Sequence, residues 1–398
     1  MTVCPEPVSF RHKIGDVLLL SLLFLLGFLA RFVFVPLMPL LEGELHMGHA
    51  QAGSLFLWMA VGFVSGQIFS GFLSSRIHHR GTLILSGLLV GGVLVFTPWA
   101  HSPALLKLLL AALGLAAGMH LPSAVATLAA SVSRQDWGKA MGLHQTAPSL
   151  GMVLGPLLVE GALGWMSWRA LVVTLGVLSA GAGILYAWKG GSGAFPGRRP
   201  DLGSLGDVLR LPGFWIIVVL FGAGIGAAVG VYSMLPLFLV HEKGWAPGPA
   251  NILLGLSRLP GLVLTFLGGW LADRLGIRIT MGSALILSGL ALVGMIPAQG
   301  RLLVLLVFLQ PALITLFFAP AFAALSQAVP PARRSIATSF GPPLAFVIGG
   351  GLFPFLIGRF GDLGAFSTGL LGAGAYVAAV SALLPLLKFH PSADAEGC

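Results

Sequence analysis

The amino-acid sequence predicts an all-α membrane protein with twelve transmembrane helices in two six-helix halves. Three observations lead to this prediction: an apolar composition, long apolar runs, and a motif that recurs at a fixed distance. Of the 398 residues, 57% are hydrophobic and 9% are charged, whereas a soluble domain is about 25% charged. The composition therefore excludes an ordinary soluble domain, and it excludes disorder, which requires low hydrophobicity and high charge.

Each predicted span is long enough to cross a bilayer, which takes about 20 mostly apolar residues in a helix. Transmembrane β-strands would give short alternating segments instead. The first six spans are predicted at 17–41, 50–73, 82–100, 104–129, 139–162 and 167–188. The last six are predicted at 212–240, 249–272, 279–298, 302–328, 336–358 and 364–388.

The positions of lysine and arginine predict that both termini lie in the cytoplasm, where positive loops are retained. In this orientation the outer ends carry five basic residues: Lys107, Arg169, Lys243, Arg301 and Arg359. The inner loops and tails carry fifteen: Arg11, Lys13, Arg76, Arg80, Arg134, Lys139, Lys189, Arg198, Arg199, Arg210, Arg274, Arg278, Arg333, Arg334 and Lys388. This split explains the net charge of +9 without a nucleic-acid partner.

The N-terminus also has one feature of a signal peptide, because Arg11 and Lys13 precede an apolar run. That run, 17–41, is longer than the apolar core of a signal peptide, which has about 7–15 residues, so we interpret it as the first span. Arginine outnumbers lysine 16 to 6, and Asn251 is the only asparagine. Such a bias is typical of a GC-rich bacterial genome and predicts the inner membrane.

The longest interruption of the apolar pattern, at 190–211, contains glycine, serine, proline and several positive charges. It predicts three parts: an N-terminal six-helix bundle at 1–189, a cytoplasmic linker at 190–211 and a C-terminal six-helix bundle at 212–398.

A short motif recurs on either side of this linker. Gly71-Phe-Leu-Ser-Ser-Arg76 follows the second span, and Gly269-Trp-Leu-Ala-Asp-Arg274 follows the eighth, an offset of 269 − 71 = 198. The same offset takes Pro122 to Pro320. These matches suggest a duplication, and parallel six-helix repeats are a known transporter architecture.

On these residues the sequence resembles the major facilitator superfamily, whose members carry a loop signature close to G-x-L-x-D-R-x-G-R-R after the second and eighth spans. The resemblance covers the whole chain and implies two six-helix halves with pseudo-two-fold symmetry. The second copy matches through Gly269, Leu271, Asp273, Arg274, Gly276 and Arg278. The first copy keeps Gly71, Leu73, Arg76 and Arg80 but has Ser75 and His78 where the family has an acid and a glycine.

The resemblance implies roles for both motifs. The loop signature would form a cytoplasmic latch from Gly269, Asp273, Arg274, Arg278, Gly71 and Arg76. Because the first copy lacks the acid, we expect Asp273 to matter more than Ser75. In the fifth span, Gly151, Gly155 and Pro156 are similar to the glycine-proline motif of the family's antiporters; small residues let helices approach closely and proline bends a helix.

Arg31 and Arg258 are the only charged residues deep inside predicted spans. A charge at mid-bilayer costs at least about 2.5 kcal/mol, and no carboxylate lies deep in a span to offset either one. Guanidinium binds carboxylate and phosphate bidentately, which predicts an anion site that both arginines face. The alternative is structural, with each guanidinium donating to carbonyls near proline or glycine.

Several neutral polar residues in the spans extend the predicted site. His120 and Tyr232, with Asn251 and Gln310, are candidate substrate contacts. Histidine titrates near pH 6.5, so His120 and His144 are candidates for proton coupling. The alternative is a neutral histidine that is hydrogen-bonded between helices.

The predicted function is a secondary active transporter that works by alternating access and moves a small organic anion coupled to protons. The alternative is an antiporter that exports neutral or amphiphilic compounds. The sequence has no nucleotide-binding phosphate loop and indicates no enzyme activity, cofactor or metal site. The expected partners are the substrate, protons and the lipid bilayer, and the expected state is a monomer.

Overall fold

The computed structural model describes residues 10–197, 202–330 and 333–389, and these residues form helices without any β-strand. Before the linker the α-helices are α1 Phe10–Phe32, α2 Phe34–Leu45, α3 His49–Phe96, α4 Pro103–Gly118, α5 His120–Ser131, α6 Trp137–Leu163 and α7 Trp168–Lys189. After it they are α8 Leu202–Leu209, α9 Pro212–Ile225, α10 Val231–Leu237, α11 Pro247–Leu256, α12 Leu259–Leu275, α13 Ile277–Met295, α14 Gly300–Gln327, α15 Arg334–Phe346, α16 Phe353–Gly361 and α17 Phe366–Ala379.

Short tighter or wider turns continue several of these helices. Two 3₁₀ segments, Thr97–Trp99 and Val380–Leu386, follow α3 and α17. Three segments are π-helical. Gly226–Gly230 separates α9 from α10, and Phe238–Glu242 follows α10. Val347–Leu352 separates α15 from α16. Two of the three therefore lie within or at the end of the seventh predicted span.

The described helices are consistent with the twelve predicted spans. Ten helical segments are long and apolar enough to cross a membrane, or eleven when the bent pair Pro247–Thr265 and Leu267–Leu275 is counted as one span. One of the ten, His49–Trp99, contains both the second and the third predicted span. The two are separated inside α3 at His78, whose backbone is not helical.

The described chain divides into two structural units. One unit holds Met1–Leu37 and Val61–Pro200, and the other holds Met38–Ala60 and Asp201–Cys398. The end of the first predicted span and the beginning of the second thus pack with the C-terminal helices. The predicted bundle boundaries at 189 and 212 stay a prediction.

Three predicted spans are broken, and a proline explains each break. The helices α1, α4 and α11 end at Phe32, Gly118 and Leu256. Each end lies four residues before a proline, at Pro36, Pro122 and Pro260. Proline has no N–H to donate to the carbonyl four residues earlier, and its ring crowds that carbonyl.

Glycine allows the same close helix contact in both units. A Cβ on Gly91 in α3 would lie 2.5 Å from the carbonyl oxygen of Gly176 in α7. A Cβ on Gly289 in α13 would also lie 2.5 Å from the carbonyl oxygen of Gly374 in α17. Both pairs obey the sequence offset, because 289 − 91 and 374 − 176 each equal 198. The duplication therefore extends to backbone-to-backbone packing, which only glycine permits at this separation.

The two loop signatures also share an arginine contact. Nη2 of Arg80 donates to the carbonyl of Ala187 at 2.7 Å, and Nη2 of Arg278 donates to the carbonyl of Leu387 at 2.5 Å. Each arginine thus bonds to the end of the last span of its own six-helix set. This contact satisfies carbonyls that a helix C-terminus would otherwise leave without a partner.

Equivalent positions of the two signatures share an unusual backbone conformation. Gly276 has φ 89° and ψ 152°, and His78, at the same offset of 198, has φ 65° and ψ 166°. This region of backbone space is accessible essentially to glycine alone, and another residue there costs about 1–3 kcal/mol. The missing glycine of the first signature therefore leaves the turn in place and makes it strained.

We expect His78→Gly to raise the apparent melting temperature of the detergent-solubilised protein, because glycine removes that strain. The matched control is Gly276→His, which should lower it. The control has steric room, since no atom lies within 4 Å of a Cβ placed at Gly276. Equal melting temperatures for all three proteins would show that the turn is not strained at His78.

Candidate functional site

Three of the predicted site residues lie beside helix breaks. Arg31 directly precedes the end of α1, His120 begins α5 after the break that follows α4, and Arg258 lies between α11 and α12. In membrane transporters, discontinuous helices carry backbone groups that are free to meet ligands and buried side chains. The proline-induced breaks therefore place the polar side chains where regular hydrogen bonding is interrupted.

Arg31 is buried among aromatic rings in the first unit. Its side chain is 4% exposed, and its guanidinium carbon lies 4.1 Å from the ring centre of Phe63 and 5.3 Å from that of Phe28. Nε donates to the carbonyl of Gly27 at 3.3 Å. No carboxylate among the described residues pairs with it. Aromatic rings and one backbone carbonyl, rather than a carboxylate, therefore stabilise the positive charge of Arg31.

A small cavity adjoins Arg31 inside the first unit. It has a volume of about 10 Å³ and is lined by Arg31, His120, Ser86 and Ser179 together with apolar side chains of α1 and α3. That volume accommodates about one water molecule. Arg31 and His120, predicted separately as site residues, therefore line the same cavity, which is too small for an organic anion in this conformation.

His120 and His144 form a buried pair. Their Nε2 atoms are 3.3 Å apart, and the two rings are nearly parallel, with an interplanar angle of 7°. Phe24 stacks on both rings at 5.2 and 4.6 Å. Such a bond requires one nitrogen to donate and the other to accept, so the pair shares one proton. Nδ1 of His144 is buried without a hydrogen-bond partner among the described residues.

Arg258 occupies a comparable environment in the second unit. Its guanidinium carbon lies 4.3 Å from the ring centre of Tyr232, and Nη1 donates to the carbonyl of Ala228 at 3.0 Å. Ala228 belongs to the π-helical segment of the seventh span. Nε of Arg258 is buried and has no hydrogen-bond partner within the described parts of the chain. Buried donors without a partner are rare in folded proteins, and this N–H can donate to an anionic ligand.

The remaining predicted contacts also lie in the second unit and are buried. Gln310 is 2% exposed, and its amide nitrogen donates to the carbonyl of Ala227 at 3.0 Å and to Oγ of Ser288 at 2.9 Å. Asn251 is 2% exposed. The carbonyls of Ala227 and Ala228 both belong to the same π-helical segment, so Gln310 and Arg258 attach to neighbouring points of the seventh span. Sequence reasoning missed Ser288 and the aromatic partner Phe63, because no pattern indicates which residues face a given arginine.

The structure places the loop-signature residues at the surface. Asp273, Arg274 and Arg76 are exposed, and the guanidinium of Arg274 packs over Trp270 at 4.4 Å. Asp273 has no ion-pair partner among the described residues. Its role as a latch that holds one conformational state stays a prediction.

The glycine-proline motif lies at a helix contact within the first unit. A Cβ on Gly151 would lie 2.5 Å from Cδ1 of Phe28, so α6 can approach α1 only with glycine there. Gly155 is less tightly packed, since a Cβ there would lie 3.9 Å from Cδ2 of Leu29. Pro156 is buried. The close approach expected from the motif thus occurs at Gly151.

Comparison with known proteins establishes the family. A sequence profile described as Major Facilitator Superfamily matches residues 20–340 and 227–397. The chain belongs to the Major Facilitator Superfamily, and it is a transporter of that family.

Individual relatives are more distant. The chain is 25% identical to a probable sulfoacetate transporter of Cupriavidus necator over an alignment of 304 residues. This alignment covers 70% of each protein. It is 27% identical to an MFS-type efflux pump of Mycolicibacterium smegmatis over an alignment of 340 residues. This alignment covers 81% of this chain and 68% of the efflux pump.

Solved structures confirm the fold. A bacterial homologue of the human lysosomal transporter Spinster, in an inward-facing and occupied conformation, superimposes with a TM-score of 0.80 at 16% identity and covers 96% of this chain and 97% of that one. A D-xylose-proton symporter gives a TM-score of 0.74, also at 16% identity, and covers 96% and 98%. At this identity the likeness shows the fold alone.

Proposed function

We propose that the protein is a secondary active transporter that moves a small organic anion by alternating access. One observation carries the proposal: each unit contains one arginine deep inside a predicted span, Arg31 or Arg258, and neither pairs with a carboxylate among the described residues. Backbone carbonyls and aromatic rings neutralise such a charge only in part, and an anionic ligand would complete the neutralisation. A cationic substrate would be repelled by the two arginines.

The relatives support two substrate classes. The probable sulfoacetate transporter has a name that specifies a small organic anion, which agrees with the two arginines. The efflux pump and a chloramphenicol resistance protein of Pseudomonas aeruginosa, which is 26% identical over 250 residues, have names that specify efflux and drug resistance, and these agree with an exporter. The second candidate function is therefore an antiporter for neutral or amphiphilic compounds, and the close contact at Gly151 favours it.

Replacing either arginine by glutamine should weaken anion binding about ten- to a hundredfold. Glutamine keeps hydrogen-bonding capacity but removes the charge, and a charge-assisted hydrogen bond contributes about 1.5–3 kcal/mol. Lysine should restore binding in part, because it cannot make the bidentate contact. The measurement is concentration-dependent uptake of a small sulfonate or carboxylate by Arg31→Gln and Arg258→Gln in proteoliposomes.

The control variant is Arg301→Gln, because Arg301 is exposed at the start of α14 and lies outside the site. It should transport like the unmodified protein. Elution as a single species from size exclusion shows that each variant is folded. Unchanged affinity in both folded site variants would exclude the anion proposal and favour the apolar exporter.

We also propose that the His120–His144 pair couples transport to protons. Adding a proton to the pair converts its accepting nitrogen into a donor, so the 3.3 Å contact between the Nε2 atoms must break. His120 also lines the cavity next to Arg31, where its charge would alter the local potential. Protonation is thereby linked to the geometry of the predicted anion site.

In the same vesicles, an imposed pH gradient should accelerate uptake by the unmodified protein. His144→Gln should abolish this acceleration and leave exchange of labelled for unlabelled anion intact, because exchange needs no net proton movement. His101→Gln is a suitable control, since His101 is exposed. A full response to the gradient in His144→Gln would rule out coupling through this pair.

We also propose that the protein is a monomer in the inner membrane with both termini in the cytoplasm. The distribution of lysine and arginine supports this orientation, and the excess of arginine over lysine supports a bacterial inner membrane. Labelling of a cysteine placed at Ser204 by a membrane-impermeant thiol reagent in intact cells would contradict that orientation.

A further inference from the structure

The second unit contains a cluster of two histidines and one carboxylate, formed by Glu42, His49 and His241. Glu42 is near the end of α2, His49 begins α3, and His241 lies in the π-helical segment after α10. All three belong to the second unit. They are predicted to lie at the outer ends of the first, second and seventh spans. Because His241 follows His49 by 241 − 49 = 192 residues, no short sequence motif indicates the cluster.

The distances within the cluster are those of ligands around a common centre. Nδ1 of His49 is 2.9 Å from both carboxylate oxygens of Glu42, and Nε2 of His241 is 3.6 Å from Oε2 of the same residue. Tetrahedral zinc with bonds of about 2.0–2.1 Å separates its ligand atoms by about 3.3 Å. The three candidate ligand atoms all lie within 4.8 Å of one another, so small side-chain rotations suffice to enclose an ion.

The surrounding residues hold the ligands in position. Asp362 accepts hydrogen bonds from the backbone N–H groups of His49 and Ala50 at 2.6 and 3.2 Å, which fixes the start of α3. The ring of His49 packs against Phe366 at 4.6 Å. The packing is tight, since a Cβ on Gly358 would lie 2.2 Å from the carbonyl oxygen of His49. Preorganised ligands with supporting contacts are what a metal site requires.

The charges at this end leave Glu42 available for a cation. Asp362 is engaged by backbone N–H groups, and Glu242 accepts from the N–H and hydroxyl of Ser367. The neighbouring cation Lys243 donates to the carbonyls of Ile296 and Ala298 at 2.6 and 3.1 Å. Among the described residues, Glu42 forms ion pairs with the two histidines alone. Its side chain is 6% exposed, whereas that of His241 is 44% exposed, so the cluster is reachable from solvent.

We propose that Glu42, His49 and His241 bind a zinc ion, with water as the fourth ligand. Two imidazoles and one carboxylate suit zinc, whereas magnesium prefers oxygen ligands and water. Zinc would replace the proton that His49 now shares with Glu42. The bound ion would connect the end of α2 and the start of α3 to the π-helical segment that follows α10.

The binding test uses the full-length protein in detergent, stripped of metal, with Cys4→Ser and Cys398→Ser to remove thiol ligands. Zinc is titrated in competition with a chromophoric chelator. We expect one tight zinc ion per chain, and at least about tenfold weaker binding in Glu42→Gln and in His241→Gln, because each removes a direct ligand. Magnesium at the same concentration should not compete.

The matched control is His101→Gln, which removes an exposed histidine at the same predicted side of the membrane and should bind zinc like the parent protein. Equal melting temperatures without zinc show that the variants are folded. Parental affinity in His241→Gln, or an equal loss in His101→Gln, would overturn the site.

A consequence for transport rests on the proposed function. Alternating access requires helix ends to move, so zinc at this cluster should slow anion uptake by the parent protein and have little effect on His241→Gln. The chelator competition does not depend on transport. Loss of the binding difference therefore overturns the zinc site, whereas intact binding together with absent anion transport contradicts the proposed function alone.

Discussion

The absence of water from the bilayer core is the constraint on which this structure depends. Every backbone group there must find a partner inside the protein, and each proline in a span removes one donor. Pro36, Pro122 and Pro260 break their spans, and the buried polar side chains lie next to the breaks. Arg258 and Gln310 donate to neighbouring carbonyls of a π-helical segment, a type of helix that often occurs at functional sites. Buried side-chain donors thus bond to backbone carbonyls at places where regular helix hydrogen bonding is interrupted.

Glycine explains how the helices can pack so closely without a hydrophobic driving force in lipid. The Gly91–Gly176 and Gly289–Gly374 pairs bring backbones into direct contact at positions related by the 198-residue repeat. Van der Waals contact of this kind is a main source of helix association in membranes. At His78 the first signature has no glycine, yet the turn keeps the conformation that Gly276 has in the second signature. The contacts of Arg80 and Arg278 with the end of the last span help to explain its persistence.

Much of the fold could be predicted from the sequence, because apolar run length and proline position act locally. The spans and the repeat follow from such patterns, and the family follows from the loop signature. Which side chains face each other depends on helix rotation and tilt, which local patterns leave open. For this reason the pairing of His120 with His144 and the contact of Arg31 with Phe63 could not be predicted. The alternative interpretation of the arginines was partly right, since both donate to carbonyls. The Glu42, His49 and His241 cluster was missed altogether.

The central claim is that Arg31 and Arg258, which have no carboxylate partner among the described residues, bind an anionic substrate. The most direct test is a thermal-shift screen of the purified protein against small sulfonates and carboxylates, neutral apolar drugs and cationic drugs, because a ligand stabilises the state that it binds. The claim predicts saturable stabilisation by small anions, which disappears when Arg31 and Arg258 are both replaced by glutamine. Stabilisation by apolar or cationic compounds alone, or by anions equally in the double variant, would contradict it.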